Sequence, residues 1–473
     1  MSNNLKFYIN GEWVESIGQE TIEVVNPSDE SVIGSVSAGT KEDINFAVSS
    51  AKNAFKTFGL SSKEERVTLL ESIIAEYEKR SDELANTISK EMGAPLWLSQ
   101  MAQVVAGKSH FSDTLELLKS FEFESMENNY LIRKEPIGVV GMITPWNWPM
   151  NQMCTKVASA IAAGCTMVLK PSEITPFCAI TFAEILHDAG VPAGVFNMVH
   201  GMGPIVGAAL SEHEDVDMMH FTGSTRAGIA VAIASAPTVK RVSQELGGKS
   251  ANIILDDADI EKAVKSGVNH CLMNTGQSCN APTRMLVSSK HYEQALSVAA
   301  EVANSTLVGS PETEGVRIGP ISNKTQYEKV QRMIQIGIDE GARLVAGGVG
   351  RPDGMDAGYF VKPTIFGDVT NDMTIAREEV FGPVLCILKY ENEDEAIEIA
   401  NDTPYGLAGY VQSGDEDHGK AVARRIRAGQ ISINGGAKGP AAPFGGFKTS
   451  GNGREHGLAG LHECLETKAI IGS

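Results

Sequence analysis

The sequence predicts an α/β protein made of two doubly wound, Rossmann-like domains plus a small β element. Three observations carry that prediction. From residue 136 to the Gly247-Gly248 pair, short apolar runs alternate with helix-patterned stretches over short connections, the rhythm of parallel βαβ units covered on both faces. A second alternation of the same kind begins after Gly248. The length of 473 residues exceeds what one hydrophobic core supports, so two or three domains are expected.

The elements follow in chain order. KFYINGEWVES, residues 6–16, reads as strand–turn–strand with Asn10-Gly11 at the turn. KEDINFAVSSAKNAF and SKEERVTLLESIIAEYEKR place apolar residues at three- and four-residue spacing, which predicts helices. FEFESMENNYLIRKEP, 121–136, alternates like a charged β-ribbon, and the closing HECLETKAIIGS reads as one more strand. Ribbon and tail could pair with each other or with a second chain.

Between them, IGVVGMITP is a buried strand, and MNQMCTKVASAIAAG is a helix with Gly164 just past its end. TMVLKPSE is a strand entering a loop. TPFCAITFAEILHDAG (helix), VFNMVHG (strand), PIVGAALSEH (helix), VDMMHFTGS (strand), RAGIAVAIASA (helix) and VKRVSQELGG (strand) follow. Gly247-Gly248 reads as a hinge or linker. ANIILDD, a helix over 259–272, MLVSS, a helix over 290–307, ILKY and GQISIN form the second alternation.

Composition narrows the function. Hydrophobic residues make up 42% and charged residues 21%, as in ordinary globular proteins. Lys+Arg 40 against Asp+Glu 59 gives a net charge of −19, which argues against nucleic-acid binding. No basic segment followed by an apolar run opens the chain, and no apolar run reaches membrane-span length, so neither signal peptide nor membrane span is expected. Seven sparse cysteines fit a reducing cytoplasm better than a disulfide framework. His270-Cys271 followed by Cys279 lacks paired ligand spacing, so no metal site is expected.

In doubly wound sheets ligands bind at the carboxyl ends of strands. TPWNWP, LKPSE, HGMGP and FTGSTRAG fall at such ends. FTGSTRAG offers free N–H groups at a helix start to a pyrophosphate but lacks the Lys-Ser/Thr of a P-loop. HGMGPIVG, with Gly203 and Gly207, misses the dinucleotide fingerprint. Each glycine also fits plain helix capping; together they favour a nucleotide site. Lys170 and Glu173 stand just past a strand end, where a carboxylate accepts from a ribose 2′-hydroxyl and repels a 2′-phosphate. That leans towards NAD over NADP.

NTGQSCNAPTR, 274–284, holds a cysteine unlike the other six. Pro282 predicts a short helix after Cys279, whose N-terminus would activate the thiol. The residues alone leave nucleophile and ordinary loop residue both open. Glu245, at a strand end before the glycine pair, is a candidate general base. Asn147, held between Trp146 and Trp148-Pro149, is a candidate oxyanion donor. A solvated partner and a turn residue are the alternatives for these two.

TPWNWP, KPSE, FTGS, QELGGKS, GQSC, EEVFGPV and PFGGFKTSGNGRE occur in that order, and the chain resembles the aldehyde dehydrogenase superfamily over essentially its whole length. The resemblance implies an NAD(P)-binding domain over 1–120 and 137–245 with a return segment at about 439–456. It also implies a catalytic domain over 246–438 and an oligomerisation ribbon from 121–136 with 457–473. It implies Cys279 as nucleophile, Glu245 as general base and Asn147 as oxyanion donor beside the Cys279 N–H. Cofactor contacts are implied for Lys170, Ser172, Glu173, Gly203, Gly207, Phe221, Gly223, Ser224, Thr225, Glu379 and Phe381. Ile143, Thr144, Trp146 and Leu246 would line the nicotinamide pocket.

The expected activity is oxidation of an aldehyde to a carboxylic acid with NAD, or possible NADP, through a Cys279 thioester hydrolysed by Glu245-activated water. A homodimer or homotetramer is expected. A CoA-acylating semialdehyde dehydrogenase is the first alternative, and Glu245 argues against it. A cysteine hydrolase or acyltransferase using His200 or His220 is the second, although both read as strand residues. A non-enzymatic protein on a borrowed fold is the third, and the retained Cys, Glu and Asn oppose it. Three departures stand out: no cysteine adjoins Cys279, Arg226 stands where many members carry an acid or small residue, and NGGAKGPAAP, 434–443, is short and poor in aromatics. That stretch is expected to shape the substrate entrance, with Trp148 and Met150 narrowing the pocket or serving in packing.

Overall fold

The computed structural model describes residues 3–436, 439 and 441–472. Of the 434–443 stretch, Ala437, Lys438 and Pro440 therefore lie outside the described residues. The first sheet has eight strands in the order Gly451–Asn452, Arg241–Glu245, Met218–Thr222, Val139–Ile143, Thr166–Lys170, Phe196–Met198, Lys6–Ile9, Glu12–Glu15. From Arg241–Glu245 to Phe196–Met198 all neighbours are parallel. Every residue of Val139–Ile143, Thr166–Lys170 and Met218–Thr222 is buried, because helices cover both faces. Val140, Met142, Met167 and Leu169 face one core; Val139, Ile143 and Val168 face the other, as a two-residue period requires.

The predicted turn at Asn10-Gly11 is present, with φ of 55° and 80°, and it pairs Lys6–Ile9 with Glu12–Glu15. Helix Pro149–Ala163 opens on proline and stops at Gly164, whose φ of 89° is left-handed.

The second sheet has seven strands: Arg343–Ala346, Thr364–Gly367, Val384–Tyr390, Arg284–Ser288, Ala251–Ile254, Ala408–Gln412, Gln430–Ile433. All are parallel except the first. A three-stranded antiparallel sheet joins Leu465–Ile471, Tyr130–Pro136 and Glu124–Glu127, so ribbon and tail pair with each other. The tail departs from a pure strand. Gly457–Glu463 is a helix whose Leu461 is buried in the first core, and the strand starts only at Leu465. No helix among the described residues is long and apolar enough to cross a membrane.

Arg284 opens a central strand of the second sheet and is fully buried. Its guanidinium donates to the carbonyls of Lys249 (3.1 Å), Ile399 (2.8 Å) and Ala400 (2.9 Å) and to Asn371 Oδ1 (2.9 Å). Each partner left unpaired costs about 1–3 kcal/mol. Arg284→Met is therefore expected to destabilise the protein by several kcal/mol, measured as a lowered midpoint in denaturant titration.

Candidate active site

The order of the first sheet reverses between Val139–Ile143 and Met218–Thr222: the chain runs outward from the first through Thr166–Lys170 and Phe196–Met198, then returns to its other side. A crevice opens at the carboxyl ends of the strands at such a point. Thr144–Asn147 and Gly223-Ser224 follow those two ends. Opposite them lie the segments that enter the second sheet's strands, namely Gly248 before Ala251–Ile254, Cys279 before Arg284–Ser288 and Glu379 before Val384–Tyr390. The carboxyl edge of one sheet thus meets the amino edge of the other. Between them is a cavity of ≈ 280 Å³ lined by Trp146, Asn147, Gly223, Ser224, Leu246, Cys279, Glu379 and Phe381, together with Gln152, Gln326 and Lys329.

The segment just before Cys279 is tied to the Asn147 loop by hydrogen bonds. Asn147 Nδ2 donates to the Gln277 carbonyl at 2.9 Å. The Asn147 carbonyl accepts from Gln103 Nε2 (3.1 Å) and Asn274 Nδ2 (2.9 Å). Gln277 Oε1 accepts from the Ser322 N–H at 2.9 Å, and Trp148 Nε1 donates to Ser278 Oγ at 2.8 Å. Asn274, Thr275 and Gly276 are all left-handed (φ 55°, 58°, 70°). A side chain at Gly276 would meet the Gly382 carbonyl at 2.1 Å, so only glycine passes there.

The expected helix after Cys279 is absent. A turn closed by Ala281 N–H to Ser278 O leads directly through Pro282 into strand Arg284–Ser288. Proline serves here in the short link that leads into a strand, a place it fills as readily as a helix's first turn. Helix-dipole activation of the thiol therefore falls away. Gly247-Gly248 is likewise no loose hinge, since both residues are buried. A Cβ on Gly247 would lie 2.7 Å from Glu379 Oε2, and one on Gly248 would lie 2.4 Å from the Cys279 carbonyl. The pair exists for close approach. Gly248→Ala is expected to displace the Cys279 backbone and lower kcat by about 100-fold, read in single-turnover kinetics with the thermal midpoint followed alongside.

Glu245 ends strand Arg241–Glu245 as expected, but it does not line this cavity. It is 1% exposed, and neither carboxylate oxygen has a hydrogen-bond partner among the described residues. Oε1 lies 2.6 Å from where a Gly445 Cβ would sit, so the carboxyl faces the return segment. Burial first, then the Glu455 charge, holds it well above the usual carboxylate range, against Lys156 and Arg454. Glu455 is also buried, yet Lys156 and His220 outweigh desolvation and hold it low. Lys156 pairs with Glu455 and donates to Thr222 Oγ1 at 2.6 Å. A raised Glu245 carboxyl thus stands beside a Glu455 that is held low.

Lys170 Nζ donates to Glu173 Oε2 at 2.7 Å. Ser172 Oγ accepts from the Ile174 N–H at 3.2 Å. Ser224 caps helix Thr225–Ser235, and Thr225 Oγ1 donates to the Thr449 carbonyl at 3.2 Å. Glu379 Oε1 accepts from the Gly248 N–H at 2.9 Å. Trp146 meets the Phe381 ring edge-on at 5.5 Å. Ile143, Thr144 and Phe221 are buried behind the cavity wall rather than lining it, the Phe221 ring filling the space under Gly223. Gly203 and Gly207 bound a π-helical turn outside the cavity lining, and Lys170, Ser172, Glu173 and Thr225 are also outside it. Arg226 is exposed. His220 lies in its strand, 3.1 Å from Glu455, whereas His200 lies beyond strand Phe196–Met198 with its ring against Phe7.

Sequence reasoning missed several groups. Gln326 Nε2 donates to the carbonyls of Val380 and Phe381, both at 2.9 Å, and Lys329 Nζ donates to the Glu379 carbonyl at 2.8 Å. Together they pin Phe381 in a left-handed conformation (φ 59°). Lys156 did carry a signal, being the one charged residue in the run PMNQMCTKVASAIAA.

The aldehyde dehydrogenase family profile matches residues 13–470. A 3-succinoylsemialdehyde-pyridine dehydrogenase from a Pseudomonas species is 52% identical over 100% of this chain and 99% of its own length. A mutant aldehyde dehydrogenase C from Pseudomonas syringae, solved with NAD+ and octanal, superposes with a TM-score of 0.99 at 49% identity, covering 99% of this chain and 97% of that one. An aldehyde dehydrogenase from Bartonella henselae superposes with a TM-score of 0.98 at 49% identity over 100% of both chains. The chain belongs to the aldehyde dehydrogenase family.

Proposed function

We propose that the protein oxidises an aldehyde to a carboxylic acid with NAD through a thioester on Cys279. The observation that carries this reading is the bond from Asn147 Nδ2 to the Gln277 carbonyl, which places amide and thiol in one cavity. An amide nitrogen has two N–H groups, so one remains to receive an oxyanion. The Cys279 thiolate adds to the aldehyde carbon, and Asn147 with the Cys279 N–H stabilises the alkoxide that forms. After oxidation to the thioester, Glu245 turns from Gly445 towards the thioester and, as the carboxylate, activates water.

The residues fit a nicotinamide dinucleotide. Gly247 lets the Glu379 carboxylate approach closely at the cavity wall, the first N–H groups of helix Thr225–Ser235 face the crevice end, and Lys170 fixes the Glu173 carboxylate. Glu379 and Phe381 would hold its nicotinamide end, and Lys170, Ser172 and Glu173 its adenosine end. Glu173 favours NAD over NADP by repelling a 2′-phosphate. Bound there, the cofactor supplies the acceptor for the hydride that oxidation releases.

We also read the first sheet, with its return strand, as the NAD-binding domain and the second as the catalytic domain. The three-stranded sheet is read as the oligomerisation element of a homodimer or homotetramer, and the location as cytoplasmic. The test is formation of reduced nicotinamide with a panel of aldehydes, with NAD and NADP in parallel and with and without CoA. Turnover with NAD in the absence of CoA is the expected outcome; strict dependence on CoA would overturn the hydrolytic route.

A further inference from the structure

Gln103 reaches the Asn147 loop from outside both sheets. It ends a π-helical turn, Ser99–Gln103, set between the short helix Leu96–Leu98 and helix Val104–Ser120. A π-helical turn takes in one residue more than an α-helical one, which re-aims the side chains around it, and such turns recur at functional sites. The Gln103 side chain is fully buried. Its Nε2 donates to the Asn147 carbonyl at 3.1 Å and to Asn274 Oδ1 at 3.3 Å, with Met92 Sδ a weak third acceptor at 3.6 Å. An amide nitrogen has two N–H groups, so the two oxygens can take both. Gln103 Oε1 has no partner among the described residues. A buried amide with an unpaired oxygen is a costly way to fill a core, where an apolar side chain of the same size serves as well or better. What the amide adds is direction.

Both oxygens belong to one ring of hydrogen bonds. Asn274 Nδ2 donates to the Asn147 carbonyl at 2.9 Å and to the Gln277 carbonyl at 3.3 Å. The Gln277 carbonyl also accepts from Asn147 Nδ2, at 2.9 Å. Gln103 therefore grips the Asn147 backbone directly and the Asn274 amide as well. Asn274 in turn fixes the carbonyl on which the Asn147 amide rests. The Gln103 N–H on Asn274 Oδ1 also selects the way the Asn274 amide faces, because a flipped amide would turn its oxygen onto the carbonyls of Asn147 and Gln277. Gln103, Asn147, Asn274 and Gln277 are all buried, so water does not compete for these bonds.

We infer that Gln103 is a positioning residue of the oxyanion site: through the Asn147 backbone and Asn274 it aims the spare Asn147 N–H at the alkoxide. The inference rests on the proposed role of Asn147, and the experiment separates the two. The burst of reduced nicotinamide is measured in a single turnover with NAD and the fastest aldehyde of the panel, for wild type, Gln103→Met, Asn147→Ala and the double variant. Methionine keeps the length of the side chain and removes both donors. Gln103→Met is expected to slow the burst at saturating aldehyde about tenfold or more, with the half-saturating aldehyde concentration and NAD affinity unchanged. Asn147→Ala is expected to slow it by about 10²–10³-fold. The double variant should be no slower than Asn147→Ala alone, because no amide is left to aim. Gln103→Glu has the shape of glutamine and fewer N–H donors, so it should show the same pattern, and it replaces Gln103→Met if that variant does not fold. A burst that the Gln103 change leaves intact, or slows equally in wild type and in Asn147→Ala, overturns the inference while a slow Asn147→Ala still upholds the proposed function. An undiminished burst in Asn147→Ala would remove the oxyanion role of Asn147 and the inference with it.

Discussion

Cys279→Ala is expected to abolish aldehyde oxidation while leaving NAD affinity unchanged. No other thiol can take over. Cys279 is half-buried and lines the cavity, whereas the other six cysteines are buried. Burial pushes Cys165 up to about 11 and Cys271 up to about 12, and raises Cys154, Cys178, Cys386 and Cys464 as well. A thiol so shifted is not a nucleophile near neutral pH. Losing a nucleophile that acts in concert with its neighbours costs roughly four to six orders of magnitude in kcat. The Cys279 carbonyl packs against Gly248, and Cys279→Ala keeps that backbone contact, so the cofactor walls are expected to stand. Steady-state turnover and equilibrium titration with NAD measure the two halves of this expectation. Turnover within about tenfold of wild type would remove the thioester route.

The parts of this molecule that sequence could and could not reveal follow a physical division. Local period was legible: VVGMI and TMVLK read as buried strands because each position is covered, and MNQMCTKVASAIAAG read as a helix ending at Gly164 because glycine alone enters left-handed space cheaply. The chemistry of Cys279, Asn147 and Glu245 was legible as residue types at segment ends. Their assembly was not. Gln103, Asn147, Asn274 and Gln277 share one hydrogen-bond network across distant segments, and Lys156 meets Glu455 from 299 residues away. Two local signals misled because one residue serves two geometries. Pro282 fits a helix start and a strand start alike, and Gly247-Gly248 fits a hinge and a tight contact alike. In both cases the neighbour that decides, strand Val384–Tyr390 for Arg284–Ser288 and Glu379 for Gly247, lies about a hundred residues downstream or more.

Glu245→Gln is expected to give a burst of reduced nicotinamide followed by a slow phase. Attack by Cys279 and oxidation need no base at Glu245, so the thioester forms at a near-normal rate. Its hydrolysis then lacks a proton acceptor and slows by about 10²–10⁴. The pH profile carries the same assignment. Burial and the Glu455 charge raise the Glu245 carboxyl well above its ordinary value, so wild-type deacylation should climb with pH through that raised value and level off above it. In Glu245→Gln the climb should vanish. Folding gives an independent control on the sign. A carboxyl whose folded pKa is raised contributes stability that is fully present below its unfolded value, about 4.3, and is lost as pH rises through the folded value. Glutamine carries no such charge, so the variant should match wild type in acid and be the more stable of the two at higher pH. A slow phase in a protein at least as stable as wild type cannot come from unfolding. Added hydroxylamine, which attacks thioesters without a base, should restore turnover in the variant. Equal loss of burst and steady state, with no rescue, would place the acid before thioester formation and sink the hydrolytic role of Glu245.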